Sequence, residues 1–482
     1  MSSRPPRRPD LTSGAIAPTL LAFALPTLGS NILQSLNGSI NTIWVGRFLG
    51  EGALAATSNT NIIMFLCFGA VFGFGMAATI LVGQSIGRHD LEGARRAIGS
   101  AVGLVVGGAA VIAALGWLFS PAILDLLATP GDAMPLALAY LRVIFLGLPA
   151  SMLLVLLMMA LRGSGDSLTP LWFMALSVLL DGGLNPFLIE GIGPFPRLGI
   201  AGSATATLIA NYVSVAALLA YVYRRDLPIR LRGAELAYLW PSRALSGLIV
   251  RKGLPMGAQM LVMSTAGLTM VGLVNRQGVD TAAAYGVSQQ LWTYIQMPAL
   301  AIGAAVSSMA AQNIGAARWE GVDAITRWGV LYNVALTGAM VAAVIVFDRP
   351  VMTLFVHGSS PALPIARHIQ LIASWNFILF GVVMVLFATV RANGAVLVPL
   401  LSLVVAMYPV RIGFALAMLP RLGADALWWG FPLGSAANLL IALVYYRQGG
   451  WRKGALAVPD EARAPEQSHA ASEPAGRVHP TG

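Results

Sequence analysis

A single carboxylate, Asp181, lies in the middle of a long apolar stretch of this sequence. An aspartate at the centre of a membrane helix costs about 2.5 to 3.5 kcal/mol to insert, so an acid at such a place is a candidate for function. Asn185 follows four residues later, on the same face of a helix. We therefore expect Asp181, with Asn185 beside it, to bind and release a coupling ion. The alternative is a structural hydrogen bond or ion pair within a helix bundle.

A polar stripe runs along the first apolar stretch, where Gln34, Asn37 and Asn41 recur at spacings of three and four. Three polar residues of other apolar stretches could face this stripe, namely Asn61, Thr207 and Asn211. We predict that Asn41 belongs to the ion-coupling site. The predicted substrate-binding residues are Gln34, Asn37, Asn61, Thr207 and Asn211. The alternative is ordinary hydrogen bonding between helices, at about 0.6 kcal/mol for each contact.

The elements that carry these residues must cross a membrane. Of 482 residues, 57% are hydrophobic and 10% are charged, and the mean hydropathy is +0.75. Soluble domains carry about 25% charged residues, so this composition excludes a soluble globular protein. Membrane helices need about 20 continuous apolar residues, whereas barrel strands alternate over about 10. Twelve continuous runs occur, at 15–40, 53–80, 97–119, 136–160, 169–190, 200–223, 253–275, 283–310, 325–347, 367–390, 396–418 and 425–446. They predict an all-α membrane protein with twelve transmembrane helices.

The chain repeats itself. The frame Gln-x-Ile-Gly-x4-Glu-Gly occurs at 84–93 and again at 312–321, an offset of 228. Leu25-Pro26 returns as Leu254-Pro255 at an offset of 229, and two further matches follow in the same order. The offset spans an even number of helices, so the copies run parallel and form two homologous six-helix lobes. Such halves enclose a site and rock around it, which favours a transporter.

The basic residues predict the orientation. Of the 30 lysines and arginines, 22 fall on the side of the N-terminus, 6 on the other side and 2 within spans. The positive-inside rule then places both termini in the cytoplasm, in a plasma (inner) membrane. The predicted organisation is a cytoplasmic segment (1–14), the N-terminal lobe (15–223), a cytoplasmic linker (224–252), the C-terminal lobe (253–446) and a disordered cytoplasmic tail (447–482). The arginines of the linker suit anionic lipid headgroups.

Several short motifs resemble the multidrug and toxic compound extrusion (MATE) family, in its DinF-like branch. They are Ala24-Leu25-Pro26, Trp44-Val45-Gly46-Arg47, Ala53-Leu54-Ala55-Ala56, Ala282-Ala283-Ala284-Tyr285-Gly286 and the two Gln-x-Ile-Gly frames. The resemblance implies a secondary antiporter that exports amphipathic, often cationic, organic compounds by alternating access, in exchange for protons or sodium ions. It also implies that Pro26 bends the first helix when the N-terminal cavity changes shape.

Two positions depart from the pattern of that branch. Its fifth helix places an Asn before an Asp, whereas this chain has Asp181 before Asn185, and the Asp of its first helix is replaced by Asn41. One carboxylate is therefore found where two would be expected. We expect one proton per cycle on Asp181. Sodium is the less favoured ion, because a hard cation prefers several oxygen ligands with matching charge.

No acid lies inside the predicted spans of the C-terminal lobe, since Asp425 is the first residue of the run 425–446. Soft and polar groups in its seventh and eighth helices suit either promiscuous binding or ordinary packing; they are Gln259, Gln289, Gln290, Tyr294, Gln296 and Met297. Arg411 lies one residue from the repeat equivalent of Asp181. It could snorkel outward, pair with a carboxylate or bind an anionic group.

Two other functions stay open at this point. A flippase for lipid-linked oligosaccharides needs basic residues along its cavity, and only Arg142 and Arg411 offer them. A membrane-embedded enzyme would need a cluster of His, Asp or Ser side chains near one interface. The sequence has no phosphate-binding loop, metal-ligand spacing or nucleophile elbow, so no catalytic residue, metal or cofactor is expected. The expected partners are small amphipathic molecules and membrane lipid rather than nucleic acid, and the expected state is a monomer.

Overall fold

The N-terminal lobe is built from six long helices. The computed structural model describes residues 11–126, 131, 134–353 and 360–453, with only part of the side chains between 51 and 70. Within these ranges every regular element is helical. The helices of this lobe are α1 (Ile16–Leu49), α2 (Glu51–Gly87), α3 (Leu91–Leu126), α4 (Met134–Gly163), α5 (Leu168–Glu190) and α6 (Ile200–Arg224).

The C-terminal lobe repeats this order with more interruptions. Its helices are α7 (Arg243–Asn275), α8 (Val279–Ile295), α9 (Met297–Gly315), α10 (Trp319–Val346), α11 (Asp348–Met352), α12 (Ala362–Ala373), α13 (Asn376–Ala392), α14 (Leu397–Val405), α15 (Gly413–Leu422) and α16 (Asp425–Gln448). Helices α8 and α9 form one span, α14 and α15 form another, and α12 with α13 forms a third that is bent by 43°. Counting the bent pair as one span, the described residues thus contain twelve segments that are long and apolar enough to cross a membrane, six in each lobe. The predicted fold, all-α with twelve transmembrane helices in two six-helix lobes, is confirmed.

Proline accounts for two of these interruptions. Pro298 lies in the first turn of α9, where its missing N–H leaves no helical hydrogen bond unmade. Pro409 lies within a π-helical turn, Ala406–Ile412, that joins α14 to α15. Since proline cannot donate to the carbonyl four residues earlier, the α-helical ladder breaks at this point and widens. Such π turns occur frequently at functional sites.

Helices α1 and α2 lie against both lobes. Each lobe has its own apolar core, and a further cluster joins α1 to α9 and α13 through Leu20, Phe23, Met309 and Val385. Helix α2 crosses α7 so closely that a Cβ atom at Gly73 would lie 2.6 Å from the backbone nitrogen of Gly257. The absence of a side chain at position 73 therefore allows this contact between the lobes.

Two predicted boundaries differ from the structure. The linker predicted over 224–252 is shorter, because α7 already begins at Arg243, where the Ser242 hydroxyl accepts a hydrogen bond from the Leu245 amide at 3.2 Å. The tail predicted as disordered over 447–482 is ordered up to residue 453, since Trp451 is buried and its carbonyl accepts a hydrogen bond from Asn393 at 2.7 Å. Residues 454–482 and 1–10 lie outside the described part of the chain.

Candidate functional site

The side chain of Asp181 is the centre of a buried polar cluster in the N-terminal lobe. It is 1% exposed on α5 and accepts four hydrogen bonds. One oxygen, Oδ2, accepts from Asn37 Nδ2 at 3.0 Å and from Asn41 Nδ2 at 2.9 Å, both on α1. The other, Oδ1, accepts from Thr207 Oγ1 at 3.0 Å on α6 and from Asn185 Nδ2 at 3.1 Å. Neutral donors from three helices therefore hold one carboxylate, and no ion pair among the described residues involves it.

Asn185 joins the two sides of this cluster. Its side chain is fully buried, and its Nδ2 atom also donates to Asn41 Oδ1 at 2.9 Å and to the Asp181 backbone carbonyl at 2.9 Å. The Oδ1 atoms of Asn185 and Asn37 are buried acceptors with no hydrogen-bond partner in the described part of the chain. The cluster thus combines donors that suit an ionised carboxylate with two unused carbonyl oxygens.

Tyr140 on α4 belongs to the surroundings of Asp181, although sequence reasoning missed it. Its phenol ring is buried, and its hydroxyl interacts electrostatically with the carboxylate. A tyrosine within the apolar sequence of α4 looks like ordinary packing. Only the fold shows that α4 brings it near the acid.

Four predicted site residues lie outside the cluster or outside its description. Gln34 is exposed and does not join the hydrogen-bond network. Asn211 lies between α4 and α5, where its Nδ2 donates to Ser151 Oγ at 2.7 Å and its Oδ1 accepts from Ser177 Oγ at 3.5 Å. The side chain of Asn61 lies outside the described residues. Pro26 lies within α1, which continues as one helix on both sides of it. The structure therefore brings together five of the eight predicted polar residues: Asp181, Asn185, Asn41, Asn37 and Thr207.

The two Gln-x-Ile-Gly frames meet across the lobes at the ends of α2 and α9. Gln84 Nε2 donates to the Ala392 carbonyl of the C-terminal lobe at 2.6 Å, and Gln312 Nε2 donates to the Gly163 carbonyl of the N-terminal lobe at 2.9 Å. Both glutamine side chains are buried. The contact is reciprocal, as in a two-fold interface.

The glycines of the same frames allow the two helix ends to approach each other closely. A Cβ atom at Gly87 would collide with the Gln312 carbonyl, and one at Gly315 would collide with the Gln84 carbonyl. The N-terminal segment lies at this end too, since Asn313 Nδ2 donates to the Leu11 carbonyl at 3.1 Å. We call this reciprocal contact of Gln84, Gly87, Gln312 and Gly315 the lobe latch.

A cavity of about 500 Å³ opens in the C-terminal lobe. Its wall combines aromatic rings, amides and one charged group, and its residues include Gln289, Trp292, Phe377, Arg411 and Phe431. Of the predicted polar lining, Gln289, Gln290 and Gln296 reach this cavity. Among the described residues, no group of three His, Cys, Asp or Glu side chains could hold a metal ion.

Comparison with known proteins places this geometry in a family. The chain matches the MatE family twice, over residues 26–187 and 255–416, and both bounds differ by 229 between the two copies. It is 33% identical over 433 residues to "Probable multidrug resistance protein YoeA" of Bacillus subtilis, which covers 89% of this chain and 93% of that protein. It is 27% identical over 358 residues to "FAD transporter" of Shewanella oneidensis, covering 72% and 76% of the two chains. A solved multidrug resistance MATE family transporter in an outward-facing conformation has the same fold, with a TM-score of 0.84 at 20% identity over 94% of this chain and 100% of that one.

Proposed function

We propose that this chain, which belongs to the MATE family of multidrug efflux transporters, exports amphipathic organic compounds in exchange for protons that Asp181 carries. It is a multi-pass membrane protein and not an enzyme. The observation that carries the proposal is the burial of one carboxylate under four donors, in a lobe where no basic side chain among the described residues pairs with it. We place the protein in the plasma (inner) membrane as a monomer, with both termini in the cytoplasm.

Ionisation and protonation of Asp181 demand different arrangements of its neighbours. The ionised group accepts from Asn37 and Asn41 on α1 and from Thr207 on α6. A protonated carboxyl becomes a donor at one oxygen, so at least one of these amides must turn or withdraw. Because the donors belong to different helices, uptake of a proton loosens α1 and α6 from α5. That coupling links the ion to the shape of the N-terminal lobe.

The lobe latch supplies the other part of an alternating-access cycle. It holds the ends of α2 and α9 together on the side where the N-terminal segment lies. With the N-terminus in the cytoplasm, this conformation is closed to the cytoplasm. Opening the transporter inward then requires both glutamines to release their carbonyls.

Sodium is the second candidate for the coupling ion. The unpartnered Oδ1 atoms of Asn37 and Asn185 lie beside Asp181, and a hard cation prefers such oxygens. One carboxylate with two amide oxygens matches the charge of a single monovalent ion. Protons are favoured because the four hydrogen-bond donors already occupy both oxygens of Asp181, so the carboxylate faces N–H and O–H groups rather than a cation.

The flippase alternative loses support from the placement of its two arginines. Arg142 stacks over the Trp117 ring at 4.8 Å in the N-terminal lobe, whereas Arg411 lines the cavity of the C-terminal lobe. A diphosphate would need both charges along one surface. An exporter of small amphipathic molecules needs no such continuous basic lining.

The deciding experiment measures efflux in proteoliposomes with a fluorescent cation, rhodamine 6G. A pH gradient is imposed in sodium-free buffer in one arm, and a sodium gradient at equal pH in the other. We expect transport with the pH gradient, loss of it in Asp181→Asn, and normal transport in the matched control Asp425→Asn, whose side chain lies at the surface beside His368. Transport driven by sodium alone, or wild-type rates in Asp181→Asn, would contradict the proposal.

A further inference from the structure

We infer that Arg411 forms an anion-binding subsite in the C-terminal lobe, which takes the phosphate or carboxylate group of a flat aromatic compound. The inference rests on the proposed function in that the bound compound is then a transport substrate. The inference adds anionic aromatic compounds to the substrates of the transporter, which would then not be limited to cations.

The guanidinium of Arg411 lies within the lobe without a compensating charge. It is half-buried where the π-helical turn borders the cavity, and its carbon Cζ lies 3.5 Å from the centroid of the Phe431 ring. Its other contacts are weak or neutral: Nη1 approaches Met407 Sδ at 3.5 Å, and the group interacts with the Tyr285 hydroxyl. No carboxylate of the described residues forms an ion pair with it, and its Nε atom is a buried donor with no partner among them.

A charge in this state is costly unless something pairs with it. Burial of an unpaired charged group is unfavourable, and a guanidinium is the side chain best shaped to hold a phosphate or carboxylate through two parallel hydrogen bonds. Snorkelling does not explain Arg411, since its side chain lines the cavity rather than the outer surface. Pairing with a carboxylate of the chain, the second sequence-based alternative, is not found in the described residues. An anionic group from outside the chain is the remaining partner.

The internal repeat relates two residues of opposite charge, Asp181 in the N-terminal lobe and Arg411 in the C-terminal lobe. An offset of 229 holds from Pro170 to Pro399, so residue 410 would correspond to Asp181. Arg411 is the next residue and lies within the π-helical turn at 406–412. The facing helices agree. Thr207 contacts Asp181, and its counterpart on α16, at the offset of 224 between Arg197 and Arg421, is Phe431, which lies under Arg411.

The cavity suits an aromatic body attached to the anion. Its volume of about 500 Å³ is that of a site for a drug-sized molecule. Trp292 forms the floor with Phe431 and Phe377, at centroid distances of 4.8 and 5.7 Å, and its indole N–H is fixed by the Gln370 Oε1 atom at 3.1 Å. Gly434 keeps α16 close to the turn, because a Cβ atom there would lie 3.1 Å from the Arg411 Cβ. A planar ring system can stack on these fixed aromatic side chains while its anionic group reaches the guanidinium.

The test uses two ligands that differ only in a phosphate group, flavin mononucleotide and riboflavin. Binding of each to the full-length protein in phosphatidylcholine nanodiscs is followed by flavin fluorescence, without any ion gradient. We expect the wild-type protein to bind flavin mononucleotide about ten-fold or more tightly than riboflavin. Arg411→Gln should abolish this difference and leave riboflavin binding unchanged, while Arg411→Lys should keep part of it, since lysine retains the charge but not the fork. The matched control Arg142→Gln should behave as wild type.

Several results would overturn the inference. The first is equal binding of the two flavins by the wild type, and the second is a preference for flavin mononucleotide that survives Arg411→Gln. The third is a preference that disappears when phosphatidylglycerol replaces phosphatidylcholine, because the cavity would then bind lipid headgroups. If Arg411→Gln does not fold, an unchanged preference in Arg411→Lys overturns it instead. Asp181→Asn separates this inference from the proposed function, because it should keep the flavin preference while losing gradient-driven efflux. Wild-type protein that binds flavins as expected but shows no proton-driven efflux would refute the proposed function alone.

Discussion

Removing both glutamines of the lobe latch should shift the protein away from the conformation described here. The double variant Gln84→Leu/Gln312→Leu keeps the approximate size of both side chains but removes both donors. The Ala392 and Gly163 carbonyls then lose their partners across the lobes. In the open conformation, water can reach the same carbonyls, so the loss acts on the closed conformation alone.

The size of the shift follows from the burial of both contacts. Leaving a buried acceptor unsatisfied costs about 1 to 3 kcal/mol. The latch contains two such contacts, so the closed conformation loses about 2 to 6 kcal/mol relative to the open one, and each ~1.4 kcal/mol is a factor of ten in population. We therefore expect the ratio of closed to open molecules to fall by a factor of about 30 or more.

Electron paramagnetic resonance distances between the lobes measure this ratio. Spin labels are attached to cysteines introduced at Leu91 and Glu320, both exposed at the starts of α3 and α10, in a Cys67→Ala background. The wild type should give one short distance, and the double variant a longer one as its main population. The control Gln370→Leu removes an amide that accepts the Trp292 N–H within a single lobe, so it should leave the distance unchanged.

The two single variants extend this test. Each glutamine bridges the lobes once, so either single variant should produce about half of the free-energy shift of the double variant. A short distance in the double variant, equal to that of the wild type, would refute the assignment of the latch. So would an equal shift in Gln370→Leu, because the effect would then come from loss of any buried amide.

Three further predictions concern the acid cluster and the latch glycines. Asp181→Asn should lower proton-driven efflux to the level of empty liposomes but leave the melting temperature within a few degrees, because amide flips and the Thr207 hydroxyl can re-pair the four donors; substrate efflux and thermal unfolding check this. Asp181→Asn/Asn185→Asp should recover part of that efflux, since the two side chains already touch at 3.1 Å and the carboxylate keeps Asn41 as a neighbour; efflux equal to that of the single variant in a folded protein would show that Thr207 and Asn37 fix its position. Gly315→Ala should favour the open conformation in the same spin-label measurement, because its Cβ atom meets the Gln84 carbonyl; an unchanged short distance would contradict this.

The buried polar cluster around Asp181 could be predicted from the sequence because it depends on helical periodicity and on the rarity of charge in lipid. Asp181 was marked by its place in mid-span, and Asn37 and Asn41 by their spacing on one face of α1. Gln34 shares that spacing yet is exposed, although α1 contacts α5 on both sides of it, at Gly29 and at Ile40. Which turns of a stripe meet a neighbouring helix depends on where the two helices cross, and a single sequence does not contain that information.

The lobe latch and the surroundings of Arg411 show what sequence reasoning could not reach. The Gln-x-Ile-Gly frames were recognised as a repeat, but their role depends on the pairing of each copy with the opposite lobe, which periodicity within one helix does not determine. Arg411 lies in the π-helical turn around Pro409 and lines the cavity, and neither feature follows from helical periodicity. By the repeat offset of 229, the equivalent of Asp181 is Val410.

The two lobes share the repeated motif where they meet and differ in the residues at their centres. In the lobe latch, the glutamine of each frame bonds to the opposite lobe, and the glycine of each frame makes room for the glutamine backbone of the other frame. Because the contact is reciprocal, both frames need the same glutamine and the same glycine. The residues at the centre of each lobe take no part in this reciprocal contact, so they can differ between the lobes. One holds Asp181 among amides, and the other holds Arg411 among aromatic rings. In the proposed cycle, a closing movement that is shared by both lobes couples a proton in one of them to an anionic substrate group in the other, without direct contact between the two charges.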